Sequence, residues 1–246
     1  MPLHLVMLGS PGAGKGTQAE RLARARGLLK ISTGDILREA VHDGNDLGRR
    51  VKAIMDRGEY VSDDVMIDLV KARLEQPDAR AGFVLDGFPR TVVQAAALDS
   101  IMNGRDPLVV VDIEVPEAEL VRRLGARLIC EDCGATAAGF EEGDRAAADT
   151  MVMPPGAGAA GESNAAERAV NEPRRCRRCG GRLVQRSDDN EAVARERLKV
   201  FKRQTEPLIE YYRVRPTFWS IDGAQTPDRV AMDIAAAIEA AAGARR

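Results

Sequence analysis

The chain has 246 residues, 44% of them hydrophobic and 30% charged, with a formal net charge of −2. That supplies enough apolar chain for a sizeable core, and no apolar run approaches the roughly 20 residues that span a bilayer. The near-neutral balance gives no overall pull toward nucleic acid or an anionic membrane, so neither is an expected partner. No basic stretch precedes the short apolar run that begins the chain, so there is no secretory signal pattern and the expected location is cytoplasmic.

In chain order, Leu3–Leu8 is a short apolar run ending in glycines, as a buried parallel strand would. Ala13–Ala25 reads as a helix and Leu28–Ile31 as a second strand, after which Ser32 or Thr33 is placed to cap another helix. Phe83–Leu85, Leu108–Ile113 and Thr217–Ile221 are further strands. The helical stretches between them are Asp63–Glu75, Thr91–Met102, Glu117–Leu128 and Glu191–Val214, and Pro227–Ala242 closes the chain as an alanine-rich helix. Strands alternating with helices predict an α/β fold, a central parallel sheet flanked by helices. One segment breaks the rhythm. The 42 residues between Cys133 and Cys176 are dominated by Ala, Gly, Glu and Pro, a composition that buries little and predicts a weakly ordered excursion.

Gly9-Ser-Pro-Gly-Ala-Gly-Lys-Gly-Thr17 follows a strand and opens a helix, the context a phosphate-binding loop requires. Glycines let successive backbone N–H groups turn toward one phosphate, the helix N-terminus adds a favourable partial charge, and Lys15 reaches the transferred group. Gly16 stands between Lys15 and Thr17, a departure from the general pattern that is the form seen in nucleoside monophosphate kinases. Of the 36 cations 30 are arginine, whose planar fork suits phosphate oxygens, although coding bias explains their number as readily. Histidine occurs only at 4, in a strand, and at 42, near a helix end, so histidine acid–base chemistry is not expected.

The remaining motifs narrow the class. Ser32-Thr-Gly-Asp-Ile-Leu-Arg38, Gly58-Glu-Tyr-Val-Ser-Asp63, Leu85-Asp-Gly-Phe-Pro-Arg-Thr91 with Gln94, Arg186-Ser-Asp-Asp189 and Arg197-Leu198 together resemble adenylate kinases of the bacterial long-lid type, over nearly the whole chain. The resemblance implies the P-loop nucleoside monophosphate kinase fold and reversible transfer from Mg-ATP to AMP, giving two ADP, by a monomer. It implies that Gly12, Ala13, Gly14, Lys15, Gly16 and Thr17 hold the ATP phosphates, with Arg123, Arg127, Thr136 and Gln225 also on ATP. For AMP it implies Thr33, Arg38, Glu59, Tyr60, Val61, Gly87, Phe88, Pro89, Arg90 and Gln94, the last reading the adenine edge, with Arg186 and Arg197 gripping phosphates during transfer.

The chemistry fits that residue set. Phosphoryl transfer needs in-line positioning and neutralisation of oxygens rather than covalent help. Lys15, Arg90, Arg127, Arg186 and Arg197 are the expected catalytic cations. Asp86, at a strand's carboxyl end, is placed to orient water around magnesium, and Asp35 and Asp189 are further candidates for that shell. By resemblance residues 1–31, 62–125 and 190–246 form the core, 32–61 the mobile AMP-binding domain and 126–189 a lid that excludes water.

Cys130-Glu-Asp-Cys133-Gly and Cys176-Arg-Arg-Cys179-Gly are two C-x-x-C knuckles, a pattern matching a tetrahedral structural zinc site. A disulfide pair is the rival, disfavoured in a cytoplasmic enzyme. Arg174, Arg175, Arg177 and Arg178 would offset the charge of four thiolates, and zinc lids occur in the resembled family. Ala137 stands where those lids carry an aromatic. Three other readings stay open: a kinase for UMP, CMP or GMP, a nucleotide switch with a zinc module, and knuckles that bind RNA. The insertion's lack of interleaved aromatics argues against the last.

Overall fold

The computed structural model describes residues 2–105, 107–134, 136–137, 175–176, 179–186 and 189–243. Five strands, β1 (Leu3–Gly9), β2 (Leu29–Ser32), β3 (Gly82–Asp86), β4 (Leu108–Glu114) and β7 (Phe218–Asp222), form one all-parallel sheet in the order β2-β3-β1-β4-β7. β1 lies at its centre and is buried from His4 onward, which is why its sequence is a continuous apolar run rather than an alternation. Side chains still alternate between faces. Val6 and Leu8 join Phe83, Leu85 and Val110 in one core, whereas Leu5 and Met7 join Val84, Val109 and Val111 in the other.

Helices cover both faces: α1 (Lys15–Arg26), α2 (Thr33–Asp43), α3 (Asp46–Asp56), α4 (Asp63–Leu74), α5 (Val92–Ile101) and α6 (Glu117–Ala126), then α7 (Glu191–Gln204), α8 (Glu206–Arg213) and α9 (Pro227–Gly243). The capping logic is local: side-chain oxygens of Ser32, Asn45, Thr91 and Asn190 accept first-turn N–H groups of α2, α3, α5 and α7. The single helix expected over 191–214 is two. Pro207 has no N–H to continue the α7 ladder, so the chain closes on Thr205 N–H to Phe201 O (2.7 Å) and restarts with Pro207 in the first turn of α8. No described helix is long and apolar enough to cross a membrane.

The chain forms two compact units, residues 1–126 with 187–246, and 127–186. The smaller unit carries two short strands that sequence reading missed, β5 (Leu128–Cys130) and β6 (Leu183–Gln185), paired antiparallel. Three residues each is too short for periodicity to register. Most of the segment between Cys133 and Cys176, including Arg174 and its expected weak order, lies outside the described residues, as do Arg177 and Arg178.

Candidate functional site: a cationic cleft at the carboxyl end of the sheet

The loop after β1 turns through Gly12 (φ 87°) and Gly14 (φ 97°), left-handed conformations that glycine adopts without a Cβ penalty. Gly14 is the N-cap of α1, and unlike the four helices above, α1 has no side-chain cap. A helix N-terminus with no side-chain cap is a favourable place for an anion. Lys15, the first helical residue, folds back over the loop: its Nζ donates to Gly9 O (2.7 Å) and Ser10 O (2.9 Å). Asp86, at the end of β3, brings Oδ2 to 3.2 Å from where a Cβ on Gly16 would stand, so its carboxylate faces the start of α1. Ala13 is buried and Thr17 half-buried in the same turn.

A second cluster gathers around the turn after β3. Gly87 (φ 84°) leaves no room for a Cβ, which would meet Thr33 Oγ1 at 2.9 Å. Its carbonyl accepts both Thr33 Oγ1–H (2.9 Å) and Arg90 Nε–H (2.8 Å). The Arg90 guanidinium lies 4.8 Å over the Tyr60 ring, a cation–π contact. Tyr60 Oη and Thr205 Oγ1 are 3.1 Å apart, and Thr205 Oγ1 donates to Arg90 O (2.9 Å), so the arginine is held from three sides. The Phe88–Pro89 peptide is cis, and Phe88 is buried.

Both clusters open on one cleft. Its walls include Lys15, Arg38, Glu59, Tyr60, Val61, Gly87, Pro89, Arg90, Gln94 and Arg197, with Leu37, Met55, Met66 and Phe201 as an apolar floor. Four cations and an apolar base in one depression suit a phosphorylated ligand with a flat ring.

Asp35 and Asp189, the further candidates for the magnesium shell, each hold an arginine. Asp35 hydrogen-bonds Arg38; burial raises its pKa, but Arg38, with Ser32 and Lys30, outweighs that and holds it below the usual carboxylate range. Asp189 is fully buried and accepts from Arg197 Nη1 (2.9 Å). A carboxylate spent on a guanidinium fixes that arginine's direction without cancelling its reach for phosphate. Arg123 and Arg122 share Glu119, whose pKa the two arginines pull down to about 2; Arg122 is 71% exposed and Arg123 27%. Gln225, in the loop after β7, donates to Asp222 O and Asp233 Oδ2, both at 3.0 Å.

One buried acid passed unnoticed in the sequence reading, although a lone aspartate inside Leu108-Val-Val-Val-Asp-Ile is a visible signal. Asp112 is 2% exposed, in register with Leu8 of β1 and Ser220 of β7. Desolvation, then Glu114, push its pKa up to about 6 against the pull of Lys15 and Arg213. With the folded value above the unfolded one, the stability Asp112 contributes is present below about pH 4 and is lost as pH rises through about 6. Asp112→Asn is therefore expected to stabilise the protein at pH 7.5 by up to about 3 kcal/mol and to give no advantage at pH 4. Thermal melts at the two pH values check this; equal shifts at both would refute it.

Within the smaller unit, β5 and β6 bring the knuckles together. Gly134 N–H donates to Cys130 O (3.0 Å) and Gly180 N–H to Cys176 O (2.8 Å), two equivalent turns, each pointing its sulfurs inward. All four sulfurs, of Cys130, Cys133, Cys176 and Cys179, lie within 4.8 Å of one another, the paired distances being 3.4 Å for 130–179 and 3.6 Å for 133–176. Those distances exclude an S–S bond of about 2.05 Å and suit four ligands around one ion. Thr136 bridges to Ile129 in this unit; Arg127 opens it and half-buried Arg186 follows β6.

Comparison with known proteins gives these features a family. A model of the adenylate kinase family matches residues 7–217. The adenylate kinase of Archaeoglobus fulgidus is 42% identical over 239 residues, covering 96% of this chain and 98% of the relative. Those of Methanocella arvoryzae and Moorella thermoacetica are 43% and 44% identical over 238 residues, with the same coverage. The phosphate loop, the cationic cleft and identity sustained along nearly the whole chain lead to one conclusion: the chain belongs to the adenylate kinase family, the enzymes that pass a phosphoryl group reversibly between ATP and AMP.

Proposed function

We propose that the cleft is the AMP half of the transfer site and that the uncapped start of α1 is the ATP half, with Lys15 at their junction. The convergence of Lys15, Arg38, Arg90, Arg197 and Gln94 on one cleft carries this reading. Backbone N–H groups of Gly12, Ala13, Gly14, Gly16 and Thr17 hold the ATP phosphates, and Lys15 follows the group that moves. Arg38 and Arg90 hold the AMP phosphate as the nucleophile, Arg197 takes charge developing between the nucleotides, and Gln94 reads the base. Thr33, Glu59, Tyr60, Val61, Gly87, Phe88 and Pro89 shape the acceptor pocket.

Residues 32–61 act as the AMP-binding domain and 126–189 as a lid, leaving 1–31, 62–125 and 190–246 as the core. Lid closure excludes water that would otherwise hydrolyse ATP; adenylate kinases are a standard example of such closure. Arg127, Arg186 and Thr136 of the smaller unit and Arg123 and Gln225 of the larger are the further ATP-binding residues. Magnesium, a hard cation that keeps its waters, fits beside Asp86, whose carboxylate faces Gly16 and the turn that carries Thr17. When bound it would neutralise charge on the ATP phosphates, and Asp86 would orient a water in its shell. Zinc fits the four sulfurs, and since four thiolates leave no open position its role is structural. The protein works as a cytoplasmic monomer.

The test offers Mg-ATP with AMP, UMP, CMP or GMP and follows product formation. AMP is expected to be the preferred acceptor. Arg90→Ala is expected to lower kcat/KM for AMP by a factor of about 10²–10³, the loss typical of one preorganised charge donor. Unchanged kinetics would remove Arg90, and with it the acceptor assignment of the cleft.

A further inference from the structure

Half of the hydrogen-bonding capacity of Gln94 is already committed inside the protein. Its Oε1 accepts the Arg90 backbone N–H (2.8 Å) and its Nε2 donates to Asp63 Oδ1 (2.7 Å). A backbone N–H only donates and a carboxylate only accepts, so both neighbours impose the same orientation on an amide whose two ends are otherwise nearly equal in shape. Asp63 is fixed in turn. Its Oδ2 accepts from Thr91 Oγ1 (3.1 Å), and that same hydroxyl accepts the Gln94 backbone N–H (3.2 Å). Asp63 is also the first residue of α4, where the helix N-terminus favours a negative charge. Gln94 is 1% exposed yet borders the cleft, and no other described residue takes its remaining N–H or lone pair.

We propose that Asp63 is a positioning residue for acceptor specificity, locking the Gln94 amide in the orientation that pairs with a 6-aminopurine and opposes a 6-oxopurine. The inference rests on the reading that Gln94 meets the base. An adenine edge offers a donor at N6 and an acceptor at N1, which match an amide oxygen and an amide N–H. A hypoxanthine or guanine edge offers an acceptor at O6 and a donor at N1, the reverse order. Accepting it requires the amide to flip. The flip sets Oε1 against the Asp63 carboxylate and the NH₂ group against the Arg90 N–H, two contacts between like partners. Selectivity is thus set by a residue behind the one that touches the base, by making the wrong orientation costly.

The experiment measures kcat/KM for AMP and for IMP, which differ at the 6-position and its N1 proton, in the unaltered protein and in Asp63→Asn, Gln94→Ala and the double variant. An asparagine at 63 can donate or accept, so one of the two like-partner contacts of the flipped amide is relieved and only the one with the Arg90 N–H remains. Asp63→Asn is expected to lower the AMP-over-IMP ratio about tenfold, and to have no further effect when Gln94 is already alanine. Asp63→Glu keeps a carboxylate and is expected to retain more of the preference than Asp63→Asn. General destabilisation would lower both kcat/KM values together and leave their ratio alone. A ratio unmoved by Asp63→Asn but lowered by Gln94→Ala overturns the role of Asp63. So does a fall that persists undiminished in the Gln94→Ala background. A ratio unmoved by Gln94→Ala overturns instead the reading that Gln94 meets the base.

Discussion

Replacing Lys15 with alanine is expected to lower kcat by about 10³ or more while leaving the fold intact. The ammonium sits where its charge has no substitute. It heads a helix whose N-terminus lacks a side-chain cap, and it is poised over the loop by two carbonyls, Gly9 O and Ser10 O, at 2.7 and 2.9 Å. Those are contacts a phosphate can displace without moving the backbone. Transfer of a phosphoryl group proceeds through a state with charge spread over its oxygens, and a cation already in place needs no reorganisation as that charge moves. Lys15→Arg is expected to fail nearly as badly, because a planar guanidinium cannot occupy a site built for a compact ammonium. Stability should change by only about 1 kcal/mol, the typical worth of the lost hydrogen bonds. The measurements are single-turnover rates and a thermal melt. A near-normal rate with Lys15→Ala would remove this lysine from the transfer step.

The second large effect concerns the four cysteines. The protein is expected to bind one zinc per chain, and removing it should unfold the described part of the smaller unit, β5, β6 and the two knuckles, while the α/β unit survives. Strands of three residues bury too little surface to hold a unit together. In small zinc-built units the apparent binding energy, about 10–16 kcal/mol, is folding energy. The crowding of the sulfurs points the same way. Although the Gly181 N–H lowers the Cys179 pKa, the neighbouring sulfurs outweigh it and the value stands pushed up to about 12. A coordinated cation reverses that balance by stabilising the thiolate. Cys176→Ser, or a chelator at neutral pH, should make the smaller unit protease-sensitive and, on the proposal that this unit is the lid, depress turnover. Elemental analysis, limited proteolysis and activity together decide it. A metal-free protein with full activity and an unaltered digestion pattern would refute a structural ion.

Much of this was legible in the chain because the signals are local. The P-loop needs its glycines, lysine and following helix in consecutive positions, so strand, turn and helix could be read together. The knuckles are equally local, each a four-residue turn with a glycine after it. Pro207 was a local signal too, and was passed over: a helix-long run of good formers from Glu191 hid the break that a missing N–H imposes. The short strands of the smaller unit escaped for a different reason, since three residues carry no measurable period.

What the residues by themselves determined is therefore the catalogue of parts: an α/β sheet, a glycine-rich loop ahead of a helix, the Gly87–Arg90 turn, a four-cysteine cluster. What only tertiary structure decided is how each charge is spent. Asp35 and Asp189, alike with Asp86 as carboxylates near glycines and arginines in the sequence, are held on Arg38 and Arg197, whereas Asp86 faces the start of α1. Asp112 is an ordinary aspartate until β1 and β7 flank it and remove its water. Gln94 acquires an orientation only when Asp63, 31 positions earlier, and the Arg90 backbone close on it. Sequence carries donors, acceptors and charges, but a hydrogen bond or a desolvated charge depends on distances of a few ångströms between residues far apart in the chain. Those distances exist only once the sheet has assembled.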